Sequence, residues 1–206
     1  MRISTALVTG AVIERLKTET ETADTLVVGN RGLGGFAGLV VGSVGLGLAG
    51  YAGCPLVVVR RVLHEGSGEV VVGHDGSSYA DPALEYAMEQ AAARRARVRV
   101  LCASRYPIRA PHPAGYGPLP VGETAELGQR LAPWREKYPD IEVIETIVRG
   151  HPVPALAAAS RGADLLVVGS RGLGGFTGLV LGSVSHGVLH RSRCPVAVVP
   201  TSWRPA

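Results

Sequence analysis

With 206 residues, 46% of them hydrophobic, and a formal charge of only +4, the chain has material for one large buried core or about one and a half domains of common size. Its basic residues are mostly Arg and are scattered rather than gathered into a stripe, which excludes nucleic-acid binding from the expected roles. Three cysteines, Cys54, Cys102 and Cys194, lack C-x-x-C spacing; neither a disulfide framework nor a zinc site is expected, and a reducing cytoplasm fits them best.

Taken in chain order, the first elements are a strand expected at residues 3–8, a helix near 12–17 and a strand at 25–28. The opening "MRISTALVTGAVIERLK" has no basic n-region followed by a long apolar run, so no signal peptide is expected. A glycine-rich loop follows, "GNRGLGGFAGLVVGSVG" at 29–45, then a strand at 56–59. Residues 32–59 carry no charge and exceed the roughly 20 apolar residues of a membrane-spanning helix, and Gly34, Gly38 and Gly42 have G-x-x-x-G spacing. The same segment recurs later with His186, His190, Arg191 and Arg193 in it, which argues against insertion, and no membrane span is expected. Four glycines in the stretch 43–53, Gly45, Gly47, Gly50 and Gly53, each cost about 0.5–1 kcal/mol in a helix and read as decay of that element.

From residue 69 the pattern is fuller. "EVVVGHDG" (69–76) is an apolar run stopped by Asp-Gly, which reads as a buried strand. A helix is expected from about Pro82, with Ala83, Leu84, Ala87, Met88 and Ala91 on one face. "RVRVLCAS" (97–104) is a second strand, and the proline- and glycine-rich 106–122 is an exposed loop. A helix at 123–138, a strand at 141–148 and a helix from Pro152 or Val153 come next. The last part is a strand at 164–168, a second glycine loop "GSRGLGGFTGLVLGSVS" (169–185), a helix from about Ser183 and a strand at 196–199. Continuously apolar strands alternating with helices indicate a parallel sheet covered on both faces, an α/β doubly wound fold.

Sliding the sequence by 140 positions aligns residues 1–60 with 141–200 without a gap, and 26 of the 60 pairs are identical. Between positions 23 and 44, 18 of 22 match. A fixed offset of this kind signals duplicated structural units. The unit here is only the back half of a domain: residues 66–206 read as a complete domain and 1–65 as a partial one.

In an open parallel sheet, ligands lie beyond the carboxyl ends of the strands where the strand order reverses, and the 169–185 loop sits at such an end. Glycines permit close backbone approach, and amides opening the next helix suit an anion. The spacing is neither a Walker A loop, since no Lys follows Gly182, nor the dinucleotide fingerprint, since Thr177 stands where Gly is needed. A tight connector with no ligand explains the spacing as well.

Gly169-x-x-Gly172, nine residues, then Gly182-Ser183 resembles the G-2x-G-9x-G-(S/T) motif of the universal stress protein family in its ATP-binding branch, and "VVVGHDGS" and "GSVSHGVLHRSRCPVAVV" add to the likeness over about residues 69–200. The resemblance implies an adenine nucleotide alpha hydrolase-like, open parallel sheet of strand order 3-2-1-4-5, ATP with Mg as cofactor, and pairing through the last strands, as a homodimer or within one chain. It places Asp75 and Ala103 at the adenosine, Gly169 and Gly172 at the ribose and phosphates, and Gly182, Ser183 and Val184 at the phosphate chain. Arg171 can pair with phosphate or can face solvent. Asp75 is also a common strand-end turn residue. The implied role is a nucleotide-dependent stress-response regulator; the alternative is an interaction module of the same fold that binds no nucleotide. His186 and His190 stand four apart but have no third ligand near them in sequence, so no metal site is expected. No nucleophile with a paired base is visible, so no catalytic residue is named.

Overall fold

The computed structural model describes residues 2–30, 41–60, 66–104, 121–172 and 181–205. Most of the loop expected at 106–122, and Gly32 of the first repeat, lie outside them. The elements in chain order are α1 (Val12–Glu19), β1 (Leu26–Gly29), α2 (Ser43–Leu48), β2 (Leu56–Val59), β3 (Glu69–Gly73), α3 (Asp81–Arg94), β4 (Arg97–Ser104), α4 (Val121–Lys137), β5 (Val143–Arg149), α5 (Pro152–Ala159), β6 (Leu165–Gly169), α6 (Ser183–Arg191) and β7 (Val196–Val199). One seven-stranded sheet has the order β1-β2-β7-β6-β3-β4-β5. Counting strands from β3, the segment β5-β4-β3-β6-β7 is the expected 3-2-1-4-5.

The sheet's centre is apolar on both sides because both sides are covered. Val70 and Val72 of β3 pack with Leu84 and Met88 of α3 and Leu127 and Leu131 of α4. Val71 belongs to the other core, with Val153 and Leu156 of α5 and Val188 and Leu189 of α6. Alternate side chains of one strand thus enter different cores.

β3 is pinned at its entry. Asp164, just before β6, accepts the amides of Ser67 (2.7 Å), Gly68 (2.8 Å) and Glu69 (3.2 Å), and Gly68 takes the positive φ of +65° that this turn requires. Glu69 is 4% exposed and accepts from Arg97 Nε and Arg99 Nη2, both at 2.8 Å, on the neighbouring strand. Burial alone would raise its carboxyl; the hydrogen bonds from Arg99 and Arg97 outweigh that and hold it below the ordinary carboxylate range.

The first repeat joins the sheet through its last strand. β1 and β2 are parallel, with Leu26 opposite Leu56, but β2 runs antiparallel to β7, with Leu56 opposite Val198 and Val58 opposite Val196. Leu56 and Val58 are fully buried, which stabilises the seam by about 1.5–3 kcal/mol per side chain. Trp203, beyond β7, covers the opposite face of the seam, edge-on to Tyr86 at 5.5 Å. β3, meanwhile, pairs with β6 rather than with the near-identical β1.

One expected strand is absent. Residues 3–8 form no regular element, and Ile3, Leu7 and Val8 are 76%, 100% and 53% exposed. The equivalent segment of the second repeat, β5, is a strand because β4 lies beside it, and no counterpart of β4 flanks residues 3–8.

The reading of Gly47 as decay is also corrected. A Cβ on Gly47 would sit 2.6 Å from Ile13 Cδ1, and one on Gly187, its repeat equivalent, 2.6 Å from Val153 Cγ2. Glycine there is what lets α2 lie against α1 and α6 against α5. Gly187→Ala should therefore lower stability by about 1–2 kcal/mol through overpacking, although Ala favours a helix by up to about 1 kcal/mol. Urea unfolding checks it, and an unchanged or raised midpoint would mean that α5 and α6 can separate at little cost.

Candidate functional site

The carboxyl ends of β3, β4 and β6 meet at the point where the chain, having placed β4 on one side of β3, returns to place β6 on the other. Such a switch leaves a crevice between the diverging connections. Four of the residues singled out in the sequence come together here. Asp75 follows β3, and a Cβ on Gly172 would lie 2.4 Å from Asp75 Oδ2. Only glycine permits this approach between the two loops. Gly169 ends β6 under the turn at Ser78–Ala80, where an added Cβ would stand 3.0 Å from Arg171 O and 3.5 Å from Tyr79 O.

The loop that leaves β6 returns to its own origin. Gly182 N–H donates to Ser170 O at 2.7 Å, and the buried Ser185 hydroxyl donates to Gly169 O at 2.5 Å. α6 begins immediately, with Gly182 as its extended N-cap. The first intrahelical bond is His186 N–H to Gly182 O, so the amides of Ser183, Val184 and Ser185 precede the ladder, at the positive end of the helix dipole. Ser183 is exposed and Val184 half-buried. Arg171 is exposed on the rim. Ala103 is half-buried near the end of β4, opposite Val148 of β5, beyond the point where β3 stops pairing at Leu101. It lies along the same edge of the sheet.

Asp75 is held in place by its neighbours. Its Oδ1 accepts the Ser77 amide at 3.0 Å and the Ser77 hydroxyl at 2.6 Å, a local turn that aims the other oxygen at Gly172. Gly76 takes a φ of +84°.

The residue that sequence reasoning missed is His74. It is 3% exposed; its Nδ1 accepts the Gly76 amide at 3.0 Å, and its Nε2 lies 3.4 Å from Asp81 Oδ1 at the start of α3. The ring is therefore neutral, with its proton on Nε2. It fixes the turn carrying Asp75 from beneath. A polar residue at the end of an apolar strand run was the available signal.

Among the described residues, no group of three or more His, Cys, Asp or Glu side chains could hold a metal ion, and no helix is long and apolar enough to cross a membrane. In the first repeat the loop ends repeat the same bonds, Gly42 N–H to Asn30 O at 2.8 Å and Leu46 N–H to Gly42 O at 3.2 Å.

Comparison with known proteins agrees with this layout. A family model described as the universal stress protein family matches residues 8–60 and 67–200. A universal stress protein of Mycolicibacterium smegmatis is 34% identical over 212 residues, covering 97% of this chain and 69% of its own. One of Mycobacterium tuberculosis is 34% identical over 208 residues, covering 98% and 70%. The crystal structure of a universal stress protein from Archaeoglobus fulgidus superposes with a TM-score of 0.66 at 25% identity, over 91% of this chain and 64% of that one. The chain thus spans just under two thirds of the Archaeoglobus protein.

Burial pushes the His74 pKa below its ordinary value, and the hydrogen bond to Asp81 only partly restores it. The unfolded chain then binds a proton that the folded ring refuses, so His74 makes stability fall as pH drops below about 6.5, by at most about 1.4 kcal/mol per pH unit. Thermal unfolding between pH 7.5 and 5 should show a steeper loss in the wild type than in His74→Asn, whose amide oxygen can still accept from Gly76. Equal slopes would mean that the folded ring protonates freely.

Proposed function

The chain belongs to the universal stress protein family, and on that footing we propose that it is an ATP-binding stress-response regulator holding one nucleotide per chain at the 169–185 loop. The observation that carries this reading is the approach of Gly172 to Asp75 across the crevice, which brings the glycine loop after β6 against the carboxylate after β3. Asp75 and Ala103 would hold the adenosine, Gly169 and Gly172 the ribose and phosphates, and the amides of Gly182, Ser183 and Val184 the phosphate chain, with Arg171 on the outer phosphate oxygens. Mg2+ would ride on the phosphates, since it is commonly held by substrate oxygens and water rather than by a protein cage. The described residues at the crevice suit binding and orientation, and the role assigned is regulatory, in the cytoplasm.

On this reading residues 66–206 are a complete domain and 1–65 a back half that completes the sheet. Pairing of β2 with β7 inside one chain takes the place of pairing between two chains, so the last strand offers no open edge for a homodimer. One nucleotide is expected because β3, whose following turn carries Asp75, pairs with β6 and not with β1.

Calorimetric titration of Mg-ATP should give a stoichiometry near one. Gly172→Val, whose side chain would collide with Asp75, and Gly182→Val, which would crowd Ser170 O at 3.3 Å from its Cβ, should each weaken ATP at least tenfold, about 1.4 kcal/mol, with the circular dichroism spectrum retained. Two ATP per chain, or wild-type affinity in both folded variants, would remove this assignment.

A further inference from the structure

At the opposite end of α6 from the glycine loop lies a cleft of about 550 Å³ that the nucleotide reading does not use. Its walls come from both repeats. Arg60, just past β2, enters from the first; Arg161, His190, Arg191 and Arg193 enter from the second. Ala157 and Ala158 of α5 also line it.

Arg60 is the informative member. It is only 8% exposed, and its Nε and Nη2 are buried with no hydrogen-bond partner among the described residues. Guanidinium nitrogens left buried and unbonded are costly, and an anion that reached them would be held more strongly than in water. Its own pKa is pressed down by burial, and the neighbouring Arg193 charge acts in the same direction. His190 is likewise lowered, by burial and then by His186 and Arg60. Cations at a helix C-terminus ordinarily answer the dipole, which accounts for His190 and Arg191. It does not account for Arg60, which sits on no helix.

The duplication supplies an internal control. At an offset of 140, Arg60, Arg161, His190, Arg191 and Arg193 correspond to Pro200, Glu21, Gly50, Tyr51 and Gly53. The backbone is the same in both places: Ser160 Oγ accepts the Arg193 amide at 2.9 Å, and Thr20 Oγ1 accepts the Gly53 amide at 2.9 Å. One framework therefore carries basic side chains at these five positions in one repeat and at none of the corresponding five in the other, where Glu21 takes the place of Arg161 and the nearby cation is Lys17, over the Tyr51 ring at 5.4 Å.

We infer that this cleft is a second binding site, specific for an oligophosphate, in which Arg60 supplies a desolvated guanidinium and Arg161, Arg191 and Arg193 ring the entrance. Several cations around a cleft of this size match a ligand with several negative charges rather than one carboxylate, and Arg forks suit phosphate oxygens. The source is either a free oligophosphate or the phosphate tail of a nucleotide. The site does not depend on the glycine loop.

The test is calorimetric titration of inorganic tripolyphosphate into the full chain carrying Gly172→Val, which removes the loop as a competitor. One tripolyphosphate should bind, with affinity falling as salt rises. Arg60→Met should weaken it at least tenfold while raising the melting temperature of the ligand-free protein, because two buried nitrogens with no hydrogen-bond partner among the described residues have gone. If Arg60→Met does not fold, the surface double variant Arg191→Gln/Arg193→Gln carries the test, with an expected loss of at least tenfold. ATP titrated into the Gly172→Val protein separates the sources: binding equal to tripolyphosphate points to a nucleotide tail, and tripolyphosphate alone to a free oligophosphate. Absence of any tripolyphosphate binding, or binding unchanged by the arginine variants, would overturn the site.

Discussion

The antiparallel pairing of β2 with β7 is the constraint on which the rest of the molecule depends. Without it β7 would be an open edge with every side chain apolar and buried only on its faces, the kind of strand that recruits another chain. With it, β7 becomes an interior strand, and residues that cannot close a sheet by themselves gain one. The direction of the pairing has a second consequence. Because β1 is parallel to β2 and β6 to β7, reversal at the seam sends the two glycine loops to opposite edges of the sheet. It also brings the carboxyl end of β2 beside the C-terminal ends of α5 and α6, and so creates the cleft at Arg60.

Elements whose stability comes from being covered on both faces were legible in the sequence. The strand ranges 56–59, 97–104 and 196–199 agree with the structure to the residue, and the others shift by one or two positions at their ends, except the first apolar run, where the strand stops at Gly73 and His74-Asp75-Gly76 forms the turn. The shared cause is that a continuous run of Val and Leu between turn residues has few alternatives to a buried parallel strand. Residues 3–8 failed for the converse reason: their apolar residues are real, but a strand needs a neighbour, and sequence pattern does not report whether one is present.

The site was legible in its backbone and not in its support. Glycine spacing marked the loop, and Asp-Gly marked the turn facing it, because both features are written in residue types with unusual backbone freedom. His74 was invisible to that logic, since its role depends on being buried with Nδ1 aimed at an amide two residues on. Gly47 was misjudged in the same way, and Gly187 is its repeat equivalent. Counted by helix propensity they are defects; placed opposite Ile13 and Val153 they set how closely two helices lie, and the repeat preserves the pairing at the same 2.6 Å distance in both halves.

The same comparison explains why two loops of nearly one sequence are unequal. Val167 of β6 is fully buried, whereas Val27 of β1 is 60% exposed. Asp164 binds three amides at the entry to β3, whereas Asp24, its equivalent, is solvent-exposed. Each difference follows from a single fact, that the β3-α3-β4-α4 unit lies beside β6 and not beside β1. The first loop keeps the bonds that shape its ends, Gly42 to Asn30 and Leu46 to Gly42, because those are local. What it lacks is the far wall of a cleft. Local chemistry was duplicated; among the described residues the turn at Asp75 that approaches the second loop has no equivalent beside the first, and the first repeat contributes through its seam and carries Arg60 at the other end of its strand.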